Sequence, residues 1–203
     1  MKRAALIIFI ISACALSAPV CVTARYGPSD ELRDKVLQAV NRPFPREAEA
    51  SRRQLLALGA PAIPFIVEVI RSGTVLTPIK KAFLVDVIAR MNSQQSASAL
   101  ISLLEDGDPF VRGLSASHIG KLRLKAAIPH LISLLNDDEV YKTVVQTDPA
   151  AEQDILVRDV AIEALQVTTG MTLAQRSSKD EQVKAWLRWW QSCQGSTSVA
   201  TRR

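Results

Sequence analysis

The side chains that most often carry chemistry are few in this chain of 203 residues. Neither His118 nor His130 is followed by glutamate, so the paired His-Glu motif of an iron site is missing. Ser115 and Ser117 precede His118 on a predicted helix, but no acid stands where a catalytic triad would need one. Cys193, in a polar C-terminal stretch, is the one cysteine expected in the mature chain, so there is also no cysteine cluster for zinc. The sequence therefore predicts no catalytic residue, no metal site and no cofactor.

Composition favours an all-α fold. Hydrophobic residues make up 48% of the chain but aromatic residues only 5%, and eight glycines are few for a chain of many tight turns. The acidic residues Glu105, Asp106 and Asp108 lie together in a predicted turn. They would either attract a cation or cap the next helix, and capping is favoured because a calcium loop uses a longer ligand series.

The N-terminus has the pattern of an export signal. Lys2 and Arg3 precede the uncharged apolar stretch Ala4–Leu16, and Val22-Thr23-Ala24 supplies small residues for cleavage before Arg25. This stretch of 13 residues is shorter than a membrane span, which needs about 20. The alternative is a lipid anchor, because Ile11–Cys14 resembles a lipobox and would make Cys14 the first residue. We expect a periplasmic or secreted protein.

Cleavage would leave Cys193 as the one remaining cysteine, so any disulfide would have to be intermolecular. The basic residues would fall from 25 to 23 against 20 acidic ones, leaving a net charge of +3. This charge is too small to indicate a nucleic-acid partner, and no membrane span or small-molecule substrate is expected in the mature chain.

Three apolar segments repeat along the chain at helical spacing: Ile63–Ile70, Ala97–Leu104 and Ile128–Leu135. Pro64, Ser98 and Pro129 take the same place in them, 34 and then 31 residues apart. A proline in the first turn of a helix is tolerated because that N–H has no helical partner.

A second series alternates with the first. In each copy a residue able to cap a helix lies four positions before a basic residue. The pairs are Thr77/Lys81, Asp108/Arg112 and Asp154/Arg158, and Pro109 follows the second cap directly. We expect these basic side chains to bind carboxylates near the turns between neighbouring units, for example Asp108. Each unit is then two helices joined by short links.

The segments Leu58–Pro64, Asp106–Arg112 and Ile119–Leu135 resemble HEAT repeats, in particular the bacterial type found in phycobilisome lyases. The resemblance implies a right-handed α-solenoid of about three to four helix pairs, used as a protein-binding scaffold rather than an enzyme. The alternative that it implies is a lyase or lyase-accessory protein that binds a tetrapyrrole or another small ligand.

We divide the chain into a signal peptide (1–24), an N-terminal capping helix and linker (25–45), a repeat domain (46–170), a Trp-rich capping helix (171–195) and a disordered tail (196–203). An insertion, 137–153, interrupts the repeats, and Asp148-Pro149 within it predicts an early start for the following helix. The insertion is either a tolerated surface loop or a binding edge. Its candidate contact residues are Tyr141, Lys142, Val144 and Val145.

The C-terminal helix carries Trp186, Trp189 and Trp190, which we expect to seal the last repeat, with an exposed aromatic patch as the alternative. The second helices of the units would form one long face for an unknown protein partner. We expect that face to include Phe65, Glu68, Arg71, Ser102, Glu105, Ser133 and Asn136.

Overall fold

The computed structural model describes residues 28–72, 76–144, 153–174 and 177–200. These residues form helices and one pair of short strands, in the following order: α1 (Pro28–Val40), α2 (Ala48–Leu58), α3 (Ile63–Arg71), α4 (Pro78–Arg90), α5 (Gln94–Ser102), α6 (Pro109–Leu122), α7 (Ile128–Ser133), β1 (Val140–Val144), β2 (Gln153–Leu156), α8 (Val157–Thr169) and α9 (Lys179–Ala200).

The helices stack in two layers, which makes the fold an all-α solenoid. In the first layer α2 packs on α4, α4 on α6, and α6 on α8. In the second layer α1 packs on α3, α3 on α5, and α7 on α9. Each helix therefore buries its apolar face mainly against helices that are near in the chain, as expected for a repeat architecture. The right-handed sense of the solenoid stays a prediction.

The first-layer helices α4 and α6 begin as predicted. Thr77 is the N-cap residue of α4 and adopts an extended backbone, although its side chain makes no capping hydrogen bond. Asp108 caps α6, since its carboxylate accepts the N–H of Phe110 at 2.9 Å, and Pro109 follows as the first helical residue. Asp106 accepts the N–H of Asp108 at 3.0 Å, so both acidic side chains form hydrogen bonds within the turn that precedes α6.

Helix α8 begins differently, and two predictions about it are wrong. Asp154 lies in β2 and does not cap α8, whose N-cap residue is Leu156; Asp159 instead accepts the N–H of Leu156 at 3.1 Å. The described residues at either end of the insertion pair as antiparallel strands, here called the hairpin, with Val140 opposite Leu156 and Val144 opposite Gln153, so residues 153–156 are extended and not part of an early helix. Its β-branched and aromatic residues favour an extended backbone. Asp148 and Pro149 lie outside the described residues.

Helix α5 differs from the predicted alignment by three residues, about one helical turn. Helix α5 begins and ends 31 residues after α3, so Gln95 rather than Ser98 takes the place of Pro64. Pro64 and Pro129 are both in the first turn of their helices, but α7 has six residues where α5 has nine. A shift of three residues leaves the same helical face apolar, so periodicity alone does not distinguish the two alignments.

The two ends of the stack are closed by α1 and α9. Helix α9 extends to Ala200, past residue 196, where we placed the start of a tail. No single helix among the described residues is long and apolar enough to span a membrane. The pair Ala48–Leu58 and Ala60–Arg71 passes that test only when taken together, and it is bent by 107°.

Candidate interaction surfaces

The basic residues of the repeats link each unit to the next. Lys81 of α4 pairs with Asp108 at the start of α6. Arg112 of α6 donates to both carboxylate oxygens of Asp137, at 2.7 and 3.1 Å, and to the carbonyl oxygen of Asp106 at 2.9 Å. The Arg112–Asp137 pair is seven-eighths buried, and a bidentate pair in such a place is stronger than a surface ion pair.

The series continues through Arg158 of α8, which lies 2.8 Å from Asp138 and 3.3 Å from Asp180. Arg71 at the end of α3 donates to the carbonyl oxygen of Ser102 at 2.7 Å. These side chains therefore connect neighbouring units of the stack.

The hairpin is anchored on α6 through Tyr141. A Cβ placed on Gly113 would lie 2.3 Å from Cδ2 of Tyr141, so the ring lies directly against the helix backbone. The ring also stacks on Phe110, with centroids 5.6 Å apart, and burial raises the pKa of Tyr141. A glycine inside helix α6 is the sequence signal for this contact.

The other candidate residues of the binding edge are placed less completely. Lys142 is exposed, and its ammonium group lies 5.4 Å from the centre of the Tyr141 ring. The backbone of Val144 belongs to β1, while Val145 lies outside the described residues. Among the candidate edge residues whose side chains are described, Lys142 is therefore the exposed one.

Helix α9 places its tryptophans at the open end of the last unit, where it packs on α7 and α8. Trp186 is fully buried, while Trp189 and Trp190 are half-buried. Trp186 and Trp189 meet edge to face, with centroids 5.3 Å apart. Cys193, also half-buried on α9, forms no disulfide within the described part of the chain.

The predicted face lies on the second-layer helices α3, α5 and α7 and on the residues that follow α5 and α7. Phe65 and Ser102 are half-buried there, whereas the other members of the predicted face are exposed: Glu68, Arg71, Glu105, Ser133 and Asn136. An open groove of about 350 Å³ runs between α3 and α5. Its α3 wall is apolar and includes Pro64 and Val67. Its α5 wall includes the small residues Ser98 and Ala99.

A second cavity, of about 260 Å³, lies between α1 and α3, and Val36, Val40 and Phe65 contribute to its apolar lining. The ion pair between Arg33 and Glu68 joins the two helices beside it. The groove and this cavity lie on opposite sides of α3.

The described residues bring together few groups able to do chemistry. Among them, no three His, Cys, Asp or Glu side chains are placed to hold a metal ion. Burial lowers the pKa of His118, and the nearby charge of Lys121 lowers it further. His130 lies 3.6 Å from Glu105 on the neighbouring unit. Ser115 is fully buried, and its hydroxyl has no hydrogen-bond partner within the described part of the chain.

The comparisons with known proteins agree with this arrangement. The family of HEAT repeats matches residues 76–147, which include α4 to α7 and β1, about a third of the chain. This match supports a HEAT-repeat protein. No curated protein and no solved structure matches the chain.

Proposed function

We propose that this chain is a non-catalytic scaffold that binds another protein outside the cytoplasm, through the face formed by α3, α5 and α7. The similarity to HEAT repeats supports a protein partner, because stacked helix pairs present extended faces that suit binding. The export signal expected at residues 1–24 supports the location.

The observation that carries the proposal is the open groove between α3 and α5. Its exposed members, Pro64, Gln95 and Ser98, are not among the residues buried within the stack, so packing leaves them available. Ser98 and Ala99 are small, which leaves the apolar wall of α3 accessible to a side chain of a partner. Apolar pockets of this kind are where interface hot spots tend to form.

The hairpin, which packs on α6 and α8, offers a second candidate contact surface. Arg112, Asp137 and Glu139 fix its base, and Lys142 is exposed on it. A loop on one side of a solenoid often forms the rim of its binding surface. We propose Lys142 as a rim contact and assign Tyr141 to anchoring the hairpin.

The test is capture of proteins from the exported fraction of the producing cell, with the wild-type chain and two variants as baits. Ser98→Arg fills the groove with a long charged side chain, while Ala57→Arg makes a comparable change at an exposed position on α2, in the other layer. We expect the same partner with wild type and Ala57→Arg, and its loss with Ser98→Arg. Equal capture by all three would overturn the assignment of this face.

Location is tested by the intact mass of the protein recovered from the cell. Cleavage by a signal peptidase predicts a mass that begins at Arg25. A mass that begins at an acylated Cys14 would indicate a lipid-anchored protein instead, and a mass that includes residues 1–24 in the cytoplasmic fraction would contradict export.

The lyase alternative makes a different prediction. A protein that carries or attaches a tetrapyrrole should change the visible absorbance of added biliverdin on binding. The scaffold proposal predicts no such change, so a saturable spectral shift would favour the lyase reading.

A further inference from the structure

The turn between α6 and α7 exposes three cationic side chains in five residues. Lys121, Arg123 and Lys125 are exposed, and they alternate with the half-buried Leu122 and Leu124. The two leucines pack against the core and hold the turn in place. The cations therefore project from a well-anchored backbone.

These cations have no partner in the part of the chain that the structure describes. None of Lys121, Arg123 and Lys125 forms an ion pair or a side-chain hydrogen bond there. By contrast, the basic residues that link the repeat units are all paired: Lys81, Arg112 and Arg158. Glu163 lines the same small groove as Lys121 without pairing with it. The nearby Arg90 is already neutralised by Asp86, at 2.6 Å.

The fold does not require this charge. The links that follow α2 and α4, 59–62 and 91–93, contain no charged residue, although Arg90 ends α4, and the helices there stack in the same way. Arg123 also has a left-handed backbone, with φ of 51°, which glycine would adopt at lower cost. Lys121, in the last turn of α6, does complement the helix dipole, which gives one of the three a local role.

We propose that this basic turn, Lys121 to Lys125, binds an acidic segment of the protein partner. The inference rests on the proposed scaffold function, and it names the chemistry of the partner. The turn leads directly into α7, whose exposed Ser133 belongs to the proposed binding face. A partner on that face would bring its acidic residues to the turn at the edge of the interface, where opposite charge speeds association.

The number of cations favours a protein over the other anionic partners. Recognition of an acidic membrane uses clusters of roughly four to eight basic residues. Binding to nucleic acid draws on roughly six to ten phosphate contacts. Three cations are too few for either alone, but they suffice as the charged edge of a larger protein interface. No exposed aromatic side chain stands in the turn to enter a bilayer or stack on a base.

The experiment measures binding of a fluorescein-labelled oligoglutamate peptide to the protein purified from cells that produce the full chain. The test variant is Lys121→Gln/Arg123→Gln/Lys125→Gln. The matched control, Arg53→Gln/Lys184→Gln/Arg188→Gln, removes the same charge from exposed residues elsewhere. We expect saturable binding by wild type and control that weakens with salt, and binding about tenfold weaker in the test variant. The midpoint of urea unfolding shows that each variant is folded.

Three results would overturn the inference: no binding by wild type, equal loss in both variants, or tighter binding through the turn to phosphatidylserine vesicles or oligothymidylate than to oligoglutamate. Its failure is separable from failure of the scaffold. A partner whose capture is lost with Ser98→Arg but unchanged by the test variant would keep the scaffold and reject the acidic segment.

Discussion

Single residues of this protein have roles that depend on a neighbour far away in sequence. Tyr141 occupies the space beside α6 that any side chain at position 113 would need. Arg112, one residue away, holds Asp137 and Glu139 at the base of the same hairpin. Two adjacent residues of α6 thus anchor the hairpin. Gly113 leaves space for the Tyr141 ring, and Arg112 forms ion pairs with Asp137 and Glu139.

Gly113→Ala should destabilise the protein. The new methyl group would lie 2.3 Å from the Tyr141 ring, and displacing the ring should lower the free energy of unfolding by about 2 kcal/mol. Urea unfolding measures the loss. Gly107→Ala is the control, because its methyl group would have nothing within 4 Å. In Gly113→Ala/Tyr141→Ala the two losses should be less than additive, and full additivity would show that the residues are not coupled.

His118 should make stability depend on pH. Its pKa is lowered in the folded protein, first by burial and then by Lys121, so the unfolded chain takes up the proton more readily. The free energy of unfolding should therefore fall as pH drops through the unfolded pKa of about 6.5 toward the lowered folded value.

Unfolding at about pH 7.5 and about pH 5.5 measures the effect of His118. The loss between these pH values should be smaller in His118→Gln than in wild type. An identical loss in both proteins would remove His118 as a cause.

At the level of elements, each end of the repeat stack needs a cover. Helix α9 supplies one through Trp186, whose side chain is fully buried between α9 and the last unit. Trp189 meets it edge to face and remains half-buried. A terminal helix with one buried face and one polar face prevents the stack from adding further units.

Trp186→Ala should cost about 4 kcal/mol of unfolding free energy, as expected for a large buried aromatic side chain. Trp190→Ala should cost clearly less, because Trp190 is half-buried. Thermal or urea unfolding of the two variants tests the ranking. If the Trp190 variant lost as much stability, the seal would be shared along α9 and not centred on Trp186.

At the scale of the whole molecule, most contacts between helices are local, since each helix packs on helices that are near it in sequence. Stability in such a stack is approximately a sum of unit and interface contributions. A substitution that destabilises one end should then lower the local stability of the other end less than it would in a protein with one central core.

Hydrogen exchange measures this behaviour. In Trp186→Ala, amide exchange should accelerate first and most in α8 and α9, and least in α2 and α3, because local openings follow local stability. Wild type gives the reference rate for each helix. A uniform acceleration across all helices would show that the stack unfolds as one cooperative body.

The sequence by itself determined the helical class, the alternation of two helix types and the pairing of Lys81 with Asp108. These follow from local spacing: apolar residues recur at helical intervals, and a capping residue before each basic one places that charge at a turn. The similarity to HEAT repeats rests on the same short-range pattern.

The tertiary structure decided what local spacing leaves open. The extended strands at the two ends of the insertion are accompanied by contacts of Tyr141 with Gly113 and of Arg112 with Asp137, which join residues far apart in the chain. The one-turn offset of α5 was likewise invisible, because a three-residue shift keeps the same helical face apolar. Whether the cations at 121–125 are paired also depends on how neighbouring units stack, and in the described part of the chain they form no ion pair.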